Sequence, residues 1–163
     1  QKAGHRQVLD LHGRLDQARC LECGLVIPRD EVQVWLELNN PWLTELDYER
    51  RPDGDAAIEN VDLSSFVLPS CNYCEGLLKP DVVFFGGSVP KSIVDRSFAL
   101  VGKSDGVLVV GTSLMAYSSY RLVRRAHQLG LPLASINQGL TRADELFDLQ
   151  ILGDCSKELE VFR

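Results

Sequence analysis

Apolar positions in this chain keep two different rhythms, and the change comes near Lys79. Beyond it, Val82, Val83, Phe84 and Phe85 form a β-type run closed by Gly86 and Gly87. Pro90 then opens a helix with Val94, Phe98 and Val101 on one side and Gly102 past its end. Residues 106–110 read as a strand apolar on both faces, as in a parallel sheet covered by helices. After Gly111-Thr112-Ser113 comes a helix with Leu122, Val123, Ala126 and Leu129 inward and Arg121, Arg124 and Arg125 outward, ended by Gly130. Residues 131–137 return as a strand, and Leu-Gln-Ile-Leu at 149–152 suggests one more.

Before Lys79 the pattern is thinner. Val8, Leu9 and Leu11 predict a short buried element that delivers His12 to a loop. Asp30, placed three residues before Gln33, predicts a capping-box start to a helix whose face is Val32, Trp35 and Leu36. Asn39, Asn40 and Pro41 stop it. Residues 44–62 are polar and acidic, with a turn at 51–55, so 24–70 is expected to be an insertion with an irregular middle.

Strand, helix and strand in alternation predict a doubly wound α/β sheet, whose ligands lie beyond the carboxyl ends of the strands. Gly111-Thr112-Ser113, Asn137-Gln138-Gly139 and Gly153-Asp154-Cys155 all fall at such ends.

Charge narrows the function. The formal charge is −6, which argues against nucleic acid, since phosphate binding wants a basic face. No apolar run is long enough to span a bilayer, and no signal or transit peptide is visible. The chain opens at Gln1 in what reads as a helix end, so it is expected to be a piece of a longer protein.

Four of the five cysteines form two Cys-x-x-Cys pairs, Cys20 with Cys23 and Cys71 with Cys74. They could make two disulfides or supply the four thiolates of a structural zinc. Nothing else in the chain looks secreted, and a chain of this size does not need such staples, which favours zinc. Reduced cysteines then imply a reducing compartment.

As a set, Leu11-His12-Gly13, the two cysteine pairs, KPDVVFFG at 79–86, GTSL at 111–114 and Asn137 resemble the sirtuins, the NAD-dependent protein-lysine deacylases. The wording around residues 51–55 and 78–86 is most similar to the class II branch, which has bacterial and mitochondrial members. The resemblance implies a Rossmann-like NAD-binding domain over 1–19 and 75–163, lacking its first strand, and a small zinc-binding module over 20–74. It implies that His12 is the catalytic base, taking a proton through the ribose hydroxyls as the acyl group passes to ADP-ribose and nicotinamide is released. Imidazole suits that task because it titrates near neutrality.

The same resemblance assigns Cys20, Cys23, Cys71 and Cys74 to a structural zinc. It assigns Gly111, Thr112 and Ser113 to the NAD ribose and phosphates, and Asn137, with Gln138 and Gly139 beside it, to the adenosine ribose. Cys155 is placed at main-chain contacts to adenine. Acylated-lysine proteins or peptides are the implied partners, taken up as an added strand. The carbonyl of Val83 would meet the substrate lysine amide, Phe85 would line the tunnel for its stem, and Gly86 would follow. Gly87 stands where the family usually has an acidic residue. His5 and His127 are read as structural.

The Gly-Ala-Gly-x-Ser phosphate loop and the Gln-Asn-x-Asp motif of the sirtuins do not occur here, so residues 1–163 alone are expected not to turn over. The implied locations are a bacterial-type cytoplasm or, alternatively, the mitochondrial matrix. Two other functions are compatible with the same residues: ADP-ribosyl transfer to protein from NAD, and non-catalytic recognition of acylated lysine.

Overall fold

The computed structural model describes residues 4–46, 49–50, 56–57 and 61–162. It divides into two compact units, Gly13–Val83 on the one hand and Gln1–His12 with Phe84–Arg163 on the other. The turn expected at 51–55 lies outside the described residues.

In the unit Gly13–Val83, strands β1 (Gly13–Cys20) and β2 (Val26–Pro28) pair antiparallel, with Ala18 opposite Ile27. Helix α1 (Arg29–Asn39) follows at once. Its N-cap is Pro28, with no side-chain cap, because the chain passes straight from strand to helix. The expected capping box does not form: Asp30 already sits within the first turn, and Gln33 instead donates to Glu37 at 2.8 Å. Val32 and Leu36 do face inward, onto Ala18, Ile27 and Leu78.

Asn40, fully buried, ends the helix and ties down a distant loop. Its amide donates to the carbonyls of Leu36 and Val67, and its Oδ1 accepts from the Val67 amide at 2.7 Å. A 3-10 turn at Pro41–Glu45 and the short antiparallel pair β3 (Glu49–Arg50) and β4 (Ala56–Ala57) lead on.

Strand β5 (Leu78–Val82) returns to pair antiparallel with β1, completing the order β2-β1-β5. The apolar run at 82–85 is therefore not a strand of its own. β5 ends at Val82, and the chain turns where Gly86 adopts φ +80, a conformation that glycine takes without penalty. The pairing of β1 with β5 draws Gly13–Val83 into one compact unit. Gly13 begins β1 at φ +87 opposite Val82, and a Cβ there would drive into the carbonyl oxygen of Asp81.

In the other unit, residues 8–12 form no regular element, and Val8 is exposed, so the expected buried lead-in to His12 is absent. Helix α2 (Lys91–Val101) starts after Pro90 as expected. Strands β6 (Val107–Val110), β7 (Leu133–Asn137) and β8 (Leu149–Leu152) make a parallel sheet in that order, with α3 (Tyr117–Gln128) connecting the first two.

The core of this unit joins Val109, Leu133 and Leu114 to Val123 and Ala126 of α3. Successive strand residues point to opposite faces. Leu108 and Val110, flanking the buried Val109, are exposed, so β6 is covered on one face only among the described residues. Leu129 is exposed rather than inward because it is the C-cap of α3. Gly130 follows at φ +69, and the Gly130 and Leu131 amides close back on the carbonyls of His127 and Ala126, a Schellman ending. A short helix α4 (Cys155–Glu158), capped by the Asp154 side chain, follows β8.

Candidate functional site

Two tight turns bring the four cysteines of the unit Gly13–Val83 together. In each, a backbone amide closes on the carbonyl of the first cysteine: Gly24 on Cys20 and Glu75 on Cys71. Gly24 and Glu75 both have positive φ, and Glu75 does so without glycine's freedom. The four sulfurs lie within 4.8 Å of one another, with Cys20–Cys74 at 3.5 Å and Cys23–Cys71 at 3.8 Å. Four sulfurs at Zn–S bond length around one tetrahedral ion would be about 3.8 Å apart. None of the four is in a disulfide. The donor set therefore fits a zinc ion and leaves no open position on it.

Their acidities tell the same story. The Cys23 amide first, then the Glu22 amide and the neighbouring thiols, hold Cys20 down to about 6 against the effect of burial. The Gly76 amide favours a thiolate at Cys74, but the thiols of Cys23, Cys20 and Cys71 and burial outweigh it and push Cys74 up to about 12. Crowded sulfurs ionise one at a time unless a cation joins them.

In the same unit Arg19 holds Asp81 through a two-pronged contact, Nε to Oδ1 at 2.8 Å and Nη2 to Oδ2 at 3.0 Å. That hydrogen bond is the main reason the Asp81 carboxyl sits below its usual range.

In the other unit the strand ends are stitched together. The Gly111 amide donates to the carbonyl of Ile136 at 3.0 Å, and the Gly153 amide to that of Asn137 at 3.1 Å. The Cys155 thiol donates to the same Ile136 carbonyl at 3.3 Å. Gly111, Asn137 and Cys155, far apart in sequence, thus share one edge of the sheet. Asn137 uses one amide hydrogen on the Gly139 carbonyl at 2.8 Å. Gln138 and Gly139 are exposed, and the space around Gly139 is open.

The loop after β6 is held under strain. Leu114 is buried at φ +55, a left-handed conformation that costs a leucine about 1 kcal/mol or more. Thr112 accepts the Leu114 amide through Oγ1, which offsets part of that cost. Arg142 does the rest. Its amide donates to the Ser113 carbonyl at 2.8 Å, its guanidinium reaches the Met115 carbonyl, and it lies over the Tyr120 ring at 4.5 Å.

His12 is exposed, and its Nε2 lies 2.7 Å from the Ser118 hydroxyl in the first turn of α3. Val83 follows β5, half-buried, while Phe85 stands wholly in solvent beside Gly86. Ser118 and Arg142 carry no expectation from the sequence alone. Ser118 is one of several serines with no distinguishing pattern. Arg142 had a signal in the Thr141…Asp144 pair around it, whose side chains bond at 2.6 Å and fix that turn.

Among the described residues no helix is long and apolar enough to cross a membrane. Comparison with known proteins adds to this geometry. The family model described as Sir2 family matches residues 1–118. The chain is 52% identical over 159 residues to an NAD-dependent protein deacetylase of Bordetella bronchiseptica, covering 98% of this chain and 58% of that protein. It is 50% identical over 159 residues to one of Xanthomonas campestris, covering 98% of this chain and 54% of the relative. It is 43% identical over 154 residues to the NAD-dependent protein deacylase Sirt4 of Drosophila melanogaster, covering 94% and 49%. The chain thus spans about half the length of the curated relatives it matches. Sir2Tm bound to a propionylated peptide has the same fold, with a TM-score of 0.73, 22% identity, and coverage of 98% of this chain and 56% of that one.

Proposed function

The chain belongs to the Sir2 family, and on that premise we propose that the protein containing it is an NAD-dependent protein-lysine deacylase that transfers the acyl group to ADP-ribose and releases nicotinamide. One observation carries this reading. His12 is hydrogen-bonded to Ser118, a few residues past Ser113, so the base and the strand-end loops belong to one compact unit.

The chemistry that NAD supplies is an activated ribose carbon with a good leaving group. The residues of this chain bind, orient and move protons. Gly111, Thr112 and Ser113 approach the ribose and phosphates. Asn137, with Gln138 and Gly139 beside it, keeps its carbonyl oxygen and second amide hydrogen for the hydroxyls of the adenosine ribose, and the main chain at Cys155 meets adenine. His12 is the group that would accept the proton from the ribose hydroxyls, the task of a general base. Val83 offers its carbonyl to the substrate backbone, and Phe85 and Gly86 meet the acylated side chain. Zinc on Cys20, Cys23, Cys71 and Cys74 holds those turns and takes no part in the reaction.

The relatives are named protein deacetylases and deacylases, and acylated proteins are the class of substrate assigned here. Free thiols at the zinc ligands require a reducing compartment, and we assign the protein to the cytoplasm. The test is product identity with the full-length protein, NAD labelled in its ribose and an acetylated peptide. Label on a small O-acyl product together with free lysine peptide supports the reading. Label left on protein would contradict it in favour of ADP-ribosyl transfer.

A further inference from the structure

Resting on the reading of His12 as the base, we infer that Ser118 is its positioning residue: the hydroxyl holds Nε2 and keeps Nδ1 as the nitrogen that takes the proton. His12 sits in a segment without regular structure, and its side chain is exposed, so the local backbone does little to choose its rotamer or tautomer. Its contact to the Ser118 hydroxyl is short, 2.7 Å, and spans 106 positions of sequence. Ser118 is rigid by comparison. It lies in the first turn of α3, half-buried, and its carbonyl accepts from Arg121 Nε. The segment leading into that turn is the one Arg142 pins at Ser113 and Met115.

A neutral imidazole carries one N–H, and the partner of one nitrogen decides the role of the other. If the Ser118 hydroxyl donates to Nε2, the ring proton sits on Nδ1, and the base cannot act without breaking that bond. If Nε2–H donates to the Ser118 oxygen, Nδ1 is bare. The ring can then accept a proton at Nδ1 and keep the same bond, because imidazolium has an N–H on both nitrogens. Only the second arrangement survives the whole proton cycle unchanged. A hydroxyl suits this use because it accepts without bringing a charge into the nucleotide site.

The test compares Ser118→Ala and Ser118→Thr in the full-length protein. Removing the hydroxyl is expected to lower kcat about tenfold, a part of the 10²-fold or more that a general base contributes. KM for NAD and for the acetylated peptide should stay within about twofold, and Ser118→Thr should keep kcat within about twofold. Long-range ¹H–¹⁵N correlation on the His12 ring reads the tautomer without any turnover. The Nε2–H form is expected in the wild type and a mixture in Ser118→Ala. Wild-type kcat in Ser118→Ala, equal losses in the alanine and threonine variants, or an unchanged ring spectrum would each overturn the inference. A wild-type protein that does not deacylate brings down the proposed function and the catalytic part of this inference with it. The ring spectrum then still decides whether Ser118 sets the tautomer.

Discussion

The unit Gly13–Val83 and the unit that carries the parallel sheet hold reactive side chains by different means. In the first, the buried apolar cluster is Ala18, Ile27 and Val32, too little to stand on burial alone. In the second, Val109, Leu114, Val123, Ala126, Leu133 and Ala143 pack a helix onto strands, and a guanidinium staples the loop beside them. The contrast teaches where each unit's order comes from. Four sulfurs and a metal ion substitute for a core in one. In the other, a packed cluster supplies the frame, and hydrogen bonds place Asn137, Cys155 and His12.

Metal removal should separate the two most sharply. A structural zinc contributes on the order of 10–16 kcal/mol of binding free energy that is also folding free energy. Chelation of the full-length protein is therefore expected to abolish hydrogen-exchange protection at β1 and β5 amides while α3 and β7 amides keep theirs. Uniform loss of protection in both regions would erase the distinction.

A glycine pair sharpens the same contrast at smaller scale. Gly13→Ala places a Cβ against the Asp81 backbone at a positive φ and is expected to destabilise by about 3 kcal/mol. Gly139→Ala meets nothing within 4 Å and should stay within about 0.5 kcal/mol of wild type. Urea denaturation of the zinc-loaded protein measures both, and equal effects would contradict the placement of Gly13.

The smallest effect concerns Arg19 and Asp81. The folded Asp81 carboxyl lies below its unfolded value, so its contribution is complete above the usual carboxylate range. It is lost as pH falls through the lower folded value. Because the pair is partly exposed, side chains 44% and 23%, the contribution is below about 1 kcal/mol. Stability of Arg19→Met against wild type should show a gap at neutral pH that closes in acid. A gap that widens in acid would reverse the assignment.

How much of this was legible beforehand differs by element, for physical reasons. The cysteine pairs and the strands β6, β7 and β8 were readable because spacing and apolar runs report directly on metal geometry and burial. β1 was not. Its residues Gly-Arg-Leu-Asp-Gln-Ala-Arg-Cys bury only Ala18 and Cys20, and Leu15 faces solvent, so no alternation marks a strand held by pairing and sulfur. The run at 82–85 misled for the opposite reason: apolar content suggested a core strand, yet Phe84 and Phe85 are exposed. The start of α1 was displaced because Pro28 both closes β2 and caps the helix, leaving Asp30 no capping role. In the candidate site, Gly111, Asn137 and Cys155 were placed at strand ends by the helix–strand rhythm. Ser118 acts through a tertiary contact that leaves no local trace, and for Arg142 only the Thr141…Asp144 turn around it was there to be read.

The central claim is that His12 supplies the proton acceptor beside loops that bind nucleotide independently of it. The most direct measurement is His12→Ala in the full-length, zinc-loaded protein, with NAD affinity by calorimetry and deacylation by peptide mass. Affinity for NAD is expected within about threefold of wild type while turnover falls by 10²-fold or more. Wild-type turnover in His12→Ala would contradict the account.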